Sequence, residues 1–383
     1  MTRTLKVAAV QMDATPAPLT DRLGRAADLI AEAAGAGAQL VALPELFNTG
    51  YTYADSNYAA AEPTDGPTIR WMRAQAAQHN VHVVGSLLLR EPRDIFNTAL
   101  LIAPDGRTWR YDKTYPWLWE RAYFREAPGT TIAETDLGKF GMLICWDSAH
   151  PELWDAYAGQ VDAMLIVSCP PRMSHLTLTF PDGSTASSTD VPGLDTGEPP
   201  ARELFPDIDT DTRAAWMRVP VVATAGAGTF RAKLPLPQVS VLPYVIGRPN
   251  AGDRVAAAAE AIAETGYDPQ TKIVGADGAV IARVTDGGDG FVIAEVPLAV
   301  QPPQPNGPQP KMHTPDLIYF YSDVFAPSLL ANVYRRAVRQ RFGAQMAPYS
   351  ARTQARIRAV RMAAAVLVGV LVGARLIRWL RRR

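Results

Sequence analysis

Apolar and polar positions alternate with a period of two along several stretches of the chain. In two other stretches, apolar positions recur every three to four residues. The alternation predicts strands at 5–11, 39–44, 81–89, 97–103, 140–145, 162–168 and 219–225. The longer period predicts helices at 21–35 and 67–79, the second opened by Pro67, a residue favoured in a first helical turn. This repeated alternation predicts an α/β layered domain over residues 1–300.

Turn sequences and irregular segments divide the rest of that domain. The tripeptides PDG at 104–106 and ADG at 276–278 lie between apolar runs and predict two hairpins. Residues 172–213 are acidic with little periodicity, and residues 232–268 begin apolar and continue as an Ala-rich helical stretch. Because long irregular loops are uncommon in compact domains, we expect the acidic segment to be functional or disordered.

The chain beyond residue 300 has a different character. Residues 301–314 are rich in Pro and predict an extended linker, and residues 315–383 predict a helical, Arg-rich extension divided or kinked at Pro327. Residues 362–374 form an apolar run of 13, shorter than the roughly 20 residues that span a bilayer. If this run and the residues after it form a helix, Arg lies on one face and Trp and Leu on the other, which favours an interfacial helix on anionic lipid. A buried oligomerisation helix and a membrane-spanning helix are the alternatives.

Charge is divided unevenly along the chain. The formal net charge is 0, but thirteen Arg and no Asp, Glu or Lys lie between Arg335 and Arg383, which leaves 25 basic and 38 acidic residues before them. Such asymmetry predicts an anionic partner for the tail, and the apolar run makes a membrane surface contacting 352–383 a better candidate than nucleic acid, which we do not expect to bind.

The cysteine content and the N-terminus bear on location. Two cysteines, Cys145 and Cys169, argue against a disulfide-stapled secreted fold. The sequence MTRTLKVAAVQMDATP alternates as a strand does and is unlike the continuous apolar core of a signal peptide. We therefore expect a cytoplasmic protein, with the C-terminal segment as an attachment to the cytoplasmic face of the membrane.

The sequence excludes several kinds of site. It contains no zinc or calcium spacing, no Walker-type loop, no dinucleotide glycine fingerprint and no GxSxG elbow. We expect neither a metal nor a cofactor.

Three segments carry residues suited to nucleophilic catalysis. LVALPELFNTGY at 40–51 places Glu45 at a strand end, KFGMLICWDSAHPELW at 139–154 does the same for Cys145, and the aromatic segment 109–129 contains Lys113 and Glu120. Taken singly, a buried Cys, a loop Glu or a solvated Lys is unremarkable. Together, a carboxylate such as Glu45 can take the thiol proton and a Lys can stabilise an oxyanion. The backbone N–H of Trp146 could be a second oxyanion donor.

These segments resemble the Glu–Lys–Cys signature of the nitrilase superfamily of carbon–nitrogen hydrolases. VAAVQM at 7–12 and RAAWMRVPVVATAG at 213–226 resemble other family segments, and coverage is roughly residues 5–300. The resemblance implies a four-layer α-β-β-α sandwich, dimerised or assembled further. It also implies that Glu45 is the general base, Lys113 the oxyanion stabiliser, Cys145 the nucleophile and Glu120 the glutamate that orients the Lys.

The sequence also departs from the family pattern. His150 stands where many members have an apolar residue, WMRVP replaces an Asn-containing variant, and the segments 172–213 and 232–268 look like inserts. The basic tail lies outside the family core. These departures bear on substrate access and location more than on the catalytic residues.

The leading functional hypothesis is a thiol amidase that hydrolyses a non-peptide amide to acid and ammonia or amine. A nitrile is the alternative substrate, and acyl transfer or a non-catalytic membrane-tethered scaffold are further alternatives. Four tryptophans follow Lys113 or Cys145 closely and either line an apolar pocket for a lipophilic substrate or serve as core packing: Trp117, Trp119, Trp146 and Trp154.

Overall fold

The computed structural model describes residues 3–190, 210–245, 248–267, 270–312, 314, 316–343, 348–349, 351, 353–360 and 362. Within them the strands are β1 Arg3–Asp13, β2 Leu40–Ala42, β3 His82–Arg90, β4 Ile95–Ile102, β5 Thr108–Asp112, β6 Ile132–Glu134, β7 Lys139–Ile144, β8 Ala163–Val167, β9 Thr177–Thr179, β10 Thr185–Ser187, β11 Val221–Ala223, β12 Ala225–Ala227, β13 Thr229–Ala232, β14 Ile262–Gly266, β15 Lys272–Val274, β16 Val280–Arg283 and β17 Gly290–Leu298. The α-helices are α1 Leu19–Gly35, α2 Ser56–Ala60, α3 Pro67–His79, α4 Pro151–Tyr157, α5 Thr210–Met217, α6 Pro237–Val245, α7 Ala251–Ala256, α8 Asp316–Tyr319 and α9 Ala326–Phe342.

Two large sheets form the centre of the domain. The first has the order β12-β1-β2-β3-β4-β5, with β17 also paired to β1, and the second has the order β16-β15-β11-β8-β7-β6. β17 runs antiparallel to β1 from Arg3↔Leu298 to Gln11↔Gly290. The helices predicted at 21–35 and 67–79 are confirmed as α1 and α3. Both predicted hairpins are confirmed, as β4–β5 and β15–β16.

The period-two pattern of β1 explains the layers. Leu5 and Val7 face the cluster shared by the two sheets, and Val10 and Met12 belong to a second cluster that also contains apolar residues of α1 and α3. Alternate side chains of one strand therefore bury two different surfaces. With α4 and α5 packed on the second sheet, the layers are α-β-β-α, the predicted four-layer sandwich.

Gly141 in β7 permits a close approach of α4. A Cβ on this residue would lie 2.9 Å from the Tyr157 ring, whose hydroxyl donates to Met142 O at 2.9 Å. A larger side chain here would push α4 away from the strand that leads into Cys145.

Most of a third, four-stranded sheet is built from the two irregular segments, 172–213 and 232–268. Its order is β10-β9-β14-β13, so strands from 172–213 pair with strands from 229–266. The acidic segment thus contains two short strands that its sequence did not predict, because three residues are too few to show a period. The remainder of that segment, 191–209, lies outside the described residues.

The linker and the C-terminal extension contact the domain. Asn306 N–H donates to Trp216 O at 2.7 Å, and Gln309 Nε2 donates to Pro151 O at 2.8 Å. Beyond α8, residues Phe320–Phe325 form a π-helical segment, and α9 follows with Pro327 in its first turn.

The described chain contains no helix with both the length and the apolar character needed to cross a bilayer. The predicted apolar segment 362–374 lies outside the described residues except for Met362, and the proposed membrane contact over 352–383 is described only at 353–360 and 362.

Candidate active site

Glu45 lies three residues after β2, in a turn between the two large sheets. Its N–H donates to Ser168 O at 3.3 Å, just beyond β8. Leu46, with a φ of 50°, donates its N–H to Ser86 Oγ at 3.0 Å. These backbone contacts fix the Glu45 carboxyl near the ends of β2 and β8.

Lys113 and Cys145 each follow a strand directly. Lys113 comes after β5, and its N–H donates to Asn97 O at 2.8 Å. Cys145 comes after β7, begins a 3₁₀ turn that ends at Ala149, and has a φ of 49°. The left-handed region costs a residue with a side chain about 1–3 kcal/mol, and such strain is concentrated at functional sites.

A buried cation lies between two buried carboxylates. Lys113 Nζ is 2.8 Å from Glu45 Oε1 and 2.7 Å from Glu120 Oε2. Glu120 Oε1 accepts the Tyr51 hydroxyl at 2.5 Å, and Oε2 also accepts the Trp117 N–H at 2.7 Å. The structure therefore brings together three of the predicted residues, with the Lys113 ammonium hydrogen-bonded to both carboxylates.

The two oxygens of Glu45 have different surroundings. Oε1 accepts from Lys113 and from Asn97 Nδ2 at 2.7 Å. Oε2 is buried and has no hydrogen-bond partner among the residues that the structure describes. An unoccupied carboxylate oxygen in a dry site is suited to accept a proton.

Burial dominates the electrostatics of this site. It raises the pKa of Glu45 to about 7, against the opposing charge of Lys113 and with the support of Glu120. It also raises the pKa of the Cys145 thiol, with Glu45 adding to the shift and Lys113 opposing it. Burial alone would lower the pKa of Lys113, but the two carboxylates outweigh it and raise that pKa. A proton moved from the thiol to Glu45 leaves the total charge of the site unchanged.

Asp147 holds the turn after β7. Its Oδ1 accepts the Tyr115 N–H at 2.7 Å, and its Oδ2 accepts the Ile144 N–H at 3.2 Å and the Tyr111 hydroxyl at 2.9 Å. Burial raises the pKa of Asp147 to about 6. This carboxyl ties the turn that begins with the cysteine to the segment that follows β5.

The tryptophans are packed in the protein interior. Trp146 is fully buried and its indole N–H donates to Asp323 Oδ1 at 3.3 Å, and the Trp154 indole N–H donates to Ser148 O at 2.8 Å. The Trp117 ring lies edge-on to Trp119 with centroids 5.9 Å apart. Each of these rings packs against neighbours in the interior, and the lining of a substrate pocket by tryptophans and the Trp146 backbone N–H as an oxyanion donor stay predictions.

An aromatic group adjoins Glu120. The Tyr53 ring centroid lies 5.3 Å from that of Phe230, 5.6 Å from that of Trp119 and 5.6 Å from that of Tyr51. Phe230 belongs to β13, so the third sheet contributes a side chain to this group. We call Tyr51, Tyr53, Trp119 and Phe230 the aromatic wall.

Sequence reasoning missed several residues that contact the site. Asp147 had a signal, because it lies two positions after Cys145 within a segment already selected. Tyr51 also lies within a selected segment, 40–51, although nothing there marks its contact with Glu120. Asn97 had no signal, because nothing in its local sequence marks the long-range contact it makes. In the described part of the chain, no cluster of His, Cys, Asp and Glu could hold a metal ion.

Residues 6–190 match the family model described as carbon–nitrogen hydrolase. The chain is 30% identical over 152 residues to a nitrilase from Pyrococcus abyssi, which covers 39% of this chain and 58% of that protein. It is 34% identical over 161 residues to a bromoxynil-specific nitrilase from Klebsiella pneumoniae subsp. ozaenae, which covers 38% and 46%. The chain thus matches about half the length of these curated relatives.

Solved structures share the fold. A CN-hydrolase superfamily protein from Xanthomonas campestris is similar with a TM-score of 0.54 and 18% identity over 78% of this chain and 91% of that one. An amidase from Nesterenkonia sp. is similar with a TM-score of 0.52 and 18% identity over 76% and 90%.

The four-layer sandwich, with a buried Glu, Lys and Cys at its strand ends, shares the fold of these solved structures. The family match assigns residues 6–190 of this chain to the carbon–nitrogen hydrolases of the nitrilase superfamily.

Proposed function

We propose that this protein hydrolyses a non-peptide carbon–nitrogen bond, in an amide or a nitrile, through a covalent intermediate on Cys145. The observation that carries the proposal is Glu45, whose Oε1 is held by Lys113 while its buried Oε2 is unoccupied among the described residues. Glu45 is also the group whose charge acts most strongly on the Cys145 thiol. This arrangement supports the acyl-enzyme route.

With an amide, Glu45 takes the thiol proton as Cys145 Sγ bonds to the carbonyl carbon. Lysine has three N–H donors, and Lys113 uses two on Glu45 and Glu120, which leaves one for the carbonyl oxygen as it becomes negative. Glu45 then gives its proton to the departing nitrogen, the carbon–nitrogen bond breaks, and a thioester remains. Water, deprotonated by Glu45, attacks the thioester, and the acid and the free thiol are released.

Glu120 supports this chemistry indirectly, through its ion pair with Lys113. It fixes the Lys113 ammonium through Oε2 and is itself held by Tyr51 and the Trp117 N–H. Its negative charge keeps Lys113 protonated in a dry site. In the proposal, Trp117 thus contributes through its backbone.

A nitrile is the second candidate, favoured by the names of the curated relatives, which include nitrilases from Pyrococcus abyssi and Klebsiella pneumoniae subsp. ozaenae. Attack of Cys145 on the nitrile carbon gives a thioimidate that takes a proton at nitrogen. One water adds to it, ammonia leaves to give the same thioester, and a second water releases the acid. The same residues serve both reactions.

The aromatic wall supports an apolar substrate, because Tyr51, whose hydroxyl donates to Glu120, belongs to a group of four packed rings. We also propose the division into a domain at 1–300, a linker at 301–314 and an extension at 315–383.

We further propose that the protein is a cytoplasmic homo-oligomer whose C-terminal tail attaches it to a membrane. Flotation of the intact protein with anionic vesicles tests the attachment.

The deciding experiment is product analysis on matched amides and nitriles of short and long chain. Acid and ammonia are quantified for the intact protein and for Cys145→Ala. Release from amides, lost in the variant, supports the amidase, and release from nitriles supports the alternative. A Cys145→Ala variant that retains full activity would refute the covalent route.

A further inference from the structure

We infer that Asp323, in the π-helical segment of the C-terminal extension, is a positioning residue for the reaction proposed above. Its carboxylate joins the turn that follows Cys145 to the turn that carries Glu120. The extension is then a working part of the active site. This inference rests on the proposed function only for its kinetic readout.

The contacts of Asp323 converge from two loops. Its Oδ1 accepts from Arg121 Nη2 at 3.0 Å and from Trp146 Nε1 at 3.3 Å. Its Oδ2 lies 2.8 Å from His150 Nε2. The Asp323 side chain is only 6% exposed, so these contacts replace its contacts with water.

Each of these partners is next to a residue of the site or within its turn. Trp146 follows Cys145, His150 closes the 3₁₀ turn that Cys145 begins, and Arg121 follows Glu120. Because the nucleophile and the residue that orients Lys113 come from separate loops, a group bonded to both loops fixes their separation.

The segment that carries Asp323 is itself anchored to the Glu120 loop. Ser322 O accepts Arg121 Nε at 2.8 Å, and Ser322 Oγ accepts the Leu118 N–H at 3.1 Å. π-Helical segments are rare and occur frequently at functional sites. Here the segment presents consecutive groups of Ser322 and Asp323 to one loop.

His150 extends the connection to the Lys113 side. Its ring stacks on Tyr115 with centroids 3.5 Å apart and planes at 2°, and its Nδ1 lies 2.9 Å from Trp146 O. Tyr115 in turn donates its N–H to Asp147, which holds the cysteine turn. Burial alone would raise the pKa of Asp323, but His150 and Arg121 outweigh it, so the pKa is lowered and the carboxylate stays ionised.

Asp323→Asn keeps the shape of the side chain and removes its charge. Misplacing reacting groups by 1 Å can cost about 100-fold in rate. We expect kcat to fall about 10- to 100-fold in this variant with KM changed less than about threefold, since the substrate does not touch Asp323. Asp316→Asn, at an exposed carboxylate on α8 of the same extension, is the matched control and should behave as the unaltered protein.

A second readout needs no substrate. Iodoacetamide alkylation of Cys145 in the intact protein, followed by mass spectrometry across pH, reports the position and ionisation of the thiol. We expect Asp323→Asn to slow it at least fivefold and Asp316→Asn to leave it unchanged. His150→Phe keeps a ring beside Tyr115 and removes one Asp323 contact together with the contact to Trp146 O. It should act in the same direction with a smaller effect, even where Asp323→Asn folds poorly.

The outcomes separate the two proposals. Alkylation slowed in Asp323→Asn and in His150→Phe supports the positioning role even where no amide or nitrile is turned over. Alkylation and kcat within twofold of Asp316→Asn overturn it and leave the hydrolase proposal standing. A lowered unfolding temperature with unchanged alkylation of the folded protein also overturns it, because that is what a purely structural residue would give.

Discussion

The two cysteines of this protein sit at neighbouring strand ends and have very different surroundings. Cys145 follows β7 and Cys169 lies two residues beyond β8, and these strands pair in parallel from Phe140↔Ala163 to Ile144↔Val167. Both thiols are buried, 4% and 1% exposed, and burial raises the pKa of both. Burial and strand position therefore do not identify a nucleophile.

Charge and backbone geometry distinguish them. Lys113 is the cation that acts on Cys145, which also has the strained φ of 49°. Burial and then Glu45 raise the pKa of the Cys169 thiol as they do for Cys145, while a hydrogen bond to Tyr267 and the charge of Arg22 lower it. The Cys169 sulfur packs where a side chain on Gly226 would have to go. The two thiols thus differ in the cation that acts on them and in their backbone geometry.

The sharpest test is to remove each thiol in turn. Cys145→Ala should lower kcat by about 10⁴-fold or more, because it deletes the attacking atom. Cys169→Ala should retain kcat within about threefold, since the proposed reaction gives its thiol no part. Steady-state kinetics on the substrate found by product analysis decides the matter. Comparable losses in both variants would contradict the assignment of the nucleophile.

The next test makes the surroundings of Cys145 resemble those of Cys169. Lys113→Met removes the cation and should lower kcat about 10²- to 10³-fold through loss of an oxyanion donor. It should also cost about 3–5 kcal/mol of unfolding free energy, because two buried carboxylates lose their partner. Lys139→Met is the control: its ammonium is 46% exposed and pairs with Glu134 at the surface. Denaturant unfolding and kinetics on both variants check this, and equal stability of the two would be incompatible with the buried ion group.

A pH profile tests Glu45, whose pKa is raised to about 7 by burial. Below that pH the carboxyl is protonated and cannot accept the thiol proton, so kcat/KM should decline as pH falls through 7, by about tenfold per unit once well below it. Glu45→Gln should lose about 10²- to 10⁴-fold and show no decline centred there. A level profile between pH 5 and 8 in the intact protein would rule out this general base.

The smallest expected effect concerns Asp147, the carboxyl that holds the turn beginning at Cys145. Asp147→Asn removes the charge that accepts the Ile144 and Tyr115 N–H groups. We expect about tenfold lower kcat and a loss of about 1–3 kcal/mol in unfolding free energy, as for a weakened buried hydrogen-bond group. Kinetics and thermal unfolding measure the two. Unchanged kcat would show that the cysteine turn keeps its shape without this carboxylate.

Much of the framework could be predicted from local sequence. The central strands and the helices α1 and α3 have clear periodicity, and Glu45, Lys113 and Cys145 each follow such a strand. Strand ends of packed sheets meet at one edge, so the three residues could be expected to converge.

The residues that complete the site could not be predicted, because their contacts are long-range. Trp146 and Asp323 are separated by 177 positions, and no pattern in the C-terminal extension points back to the cysteine loop. The two alternatives for the tryptophans, pocket lining and core packing, stay open for a related reason: sequence proximity to Lys113 does not reveal which way a ring packs. The third sheet was missed because strands such as β9 and β10 have three residues each.

The long pairing of β1 with β17 has a consequence for synthesis on the ribosome. Residues 3–11 find their antiparallel partner only when residues 290–298 have been made. At about 5–20 residues per second, this apolar strand waits roughly 15–60 s with the backbone groups of one edge unpaired. Open edges of this kind recruit other strands, so a nascent chain of this protein needs shielding until its last sheet strand emerges.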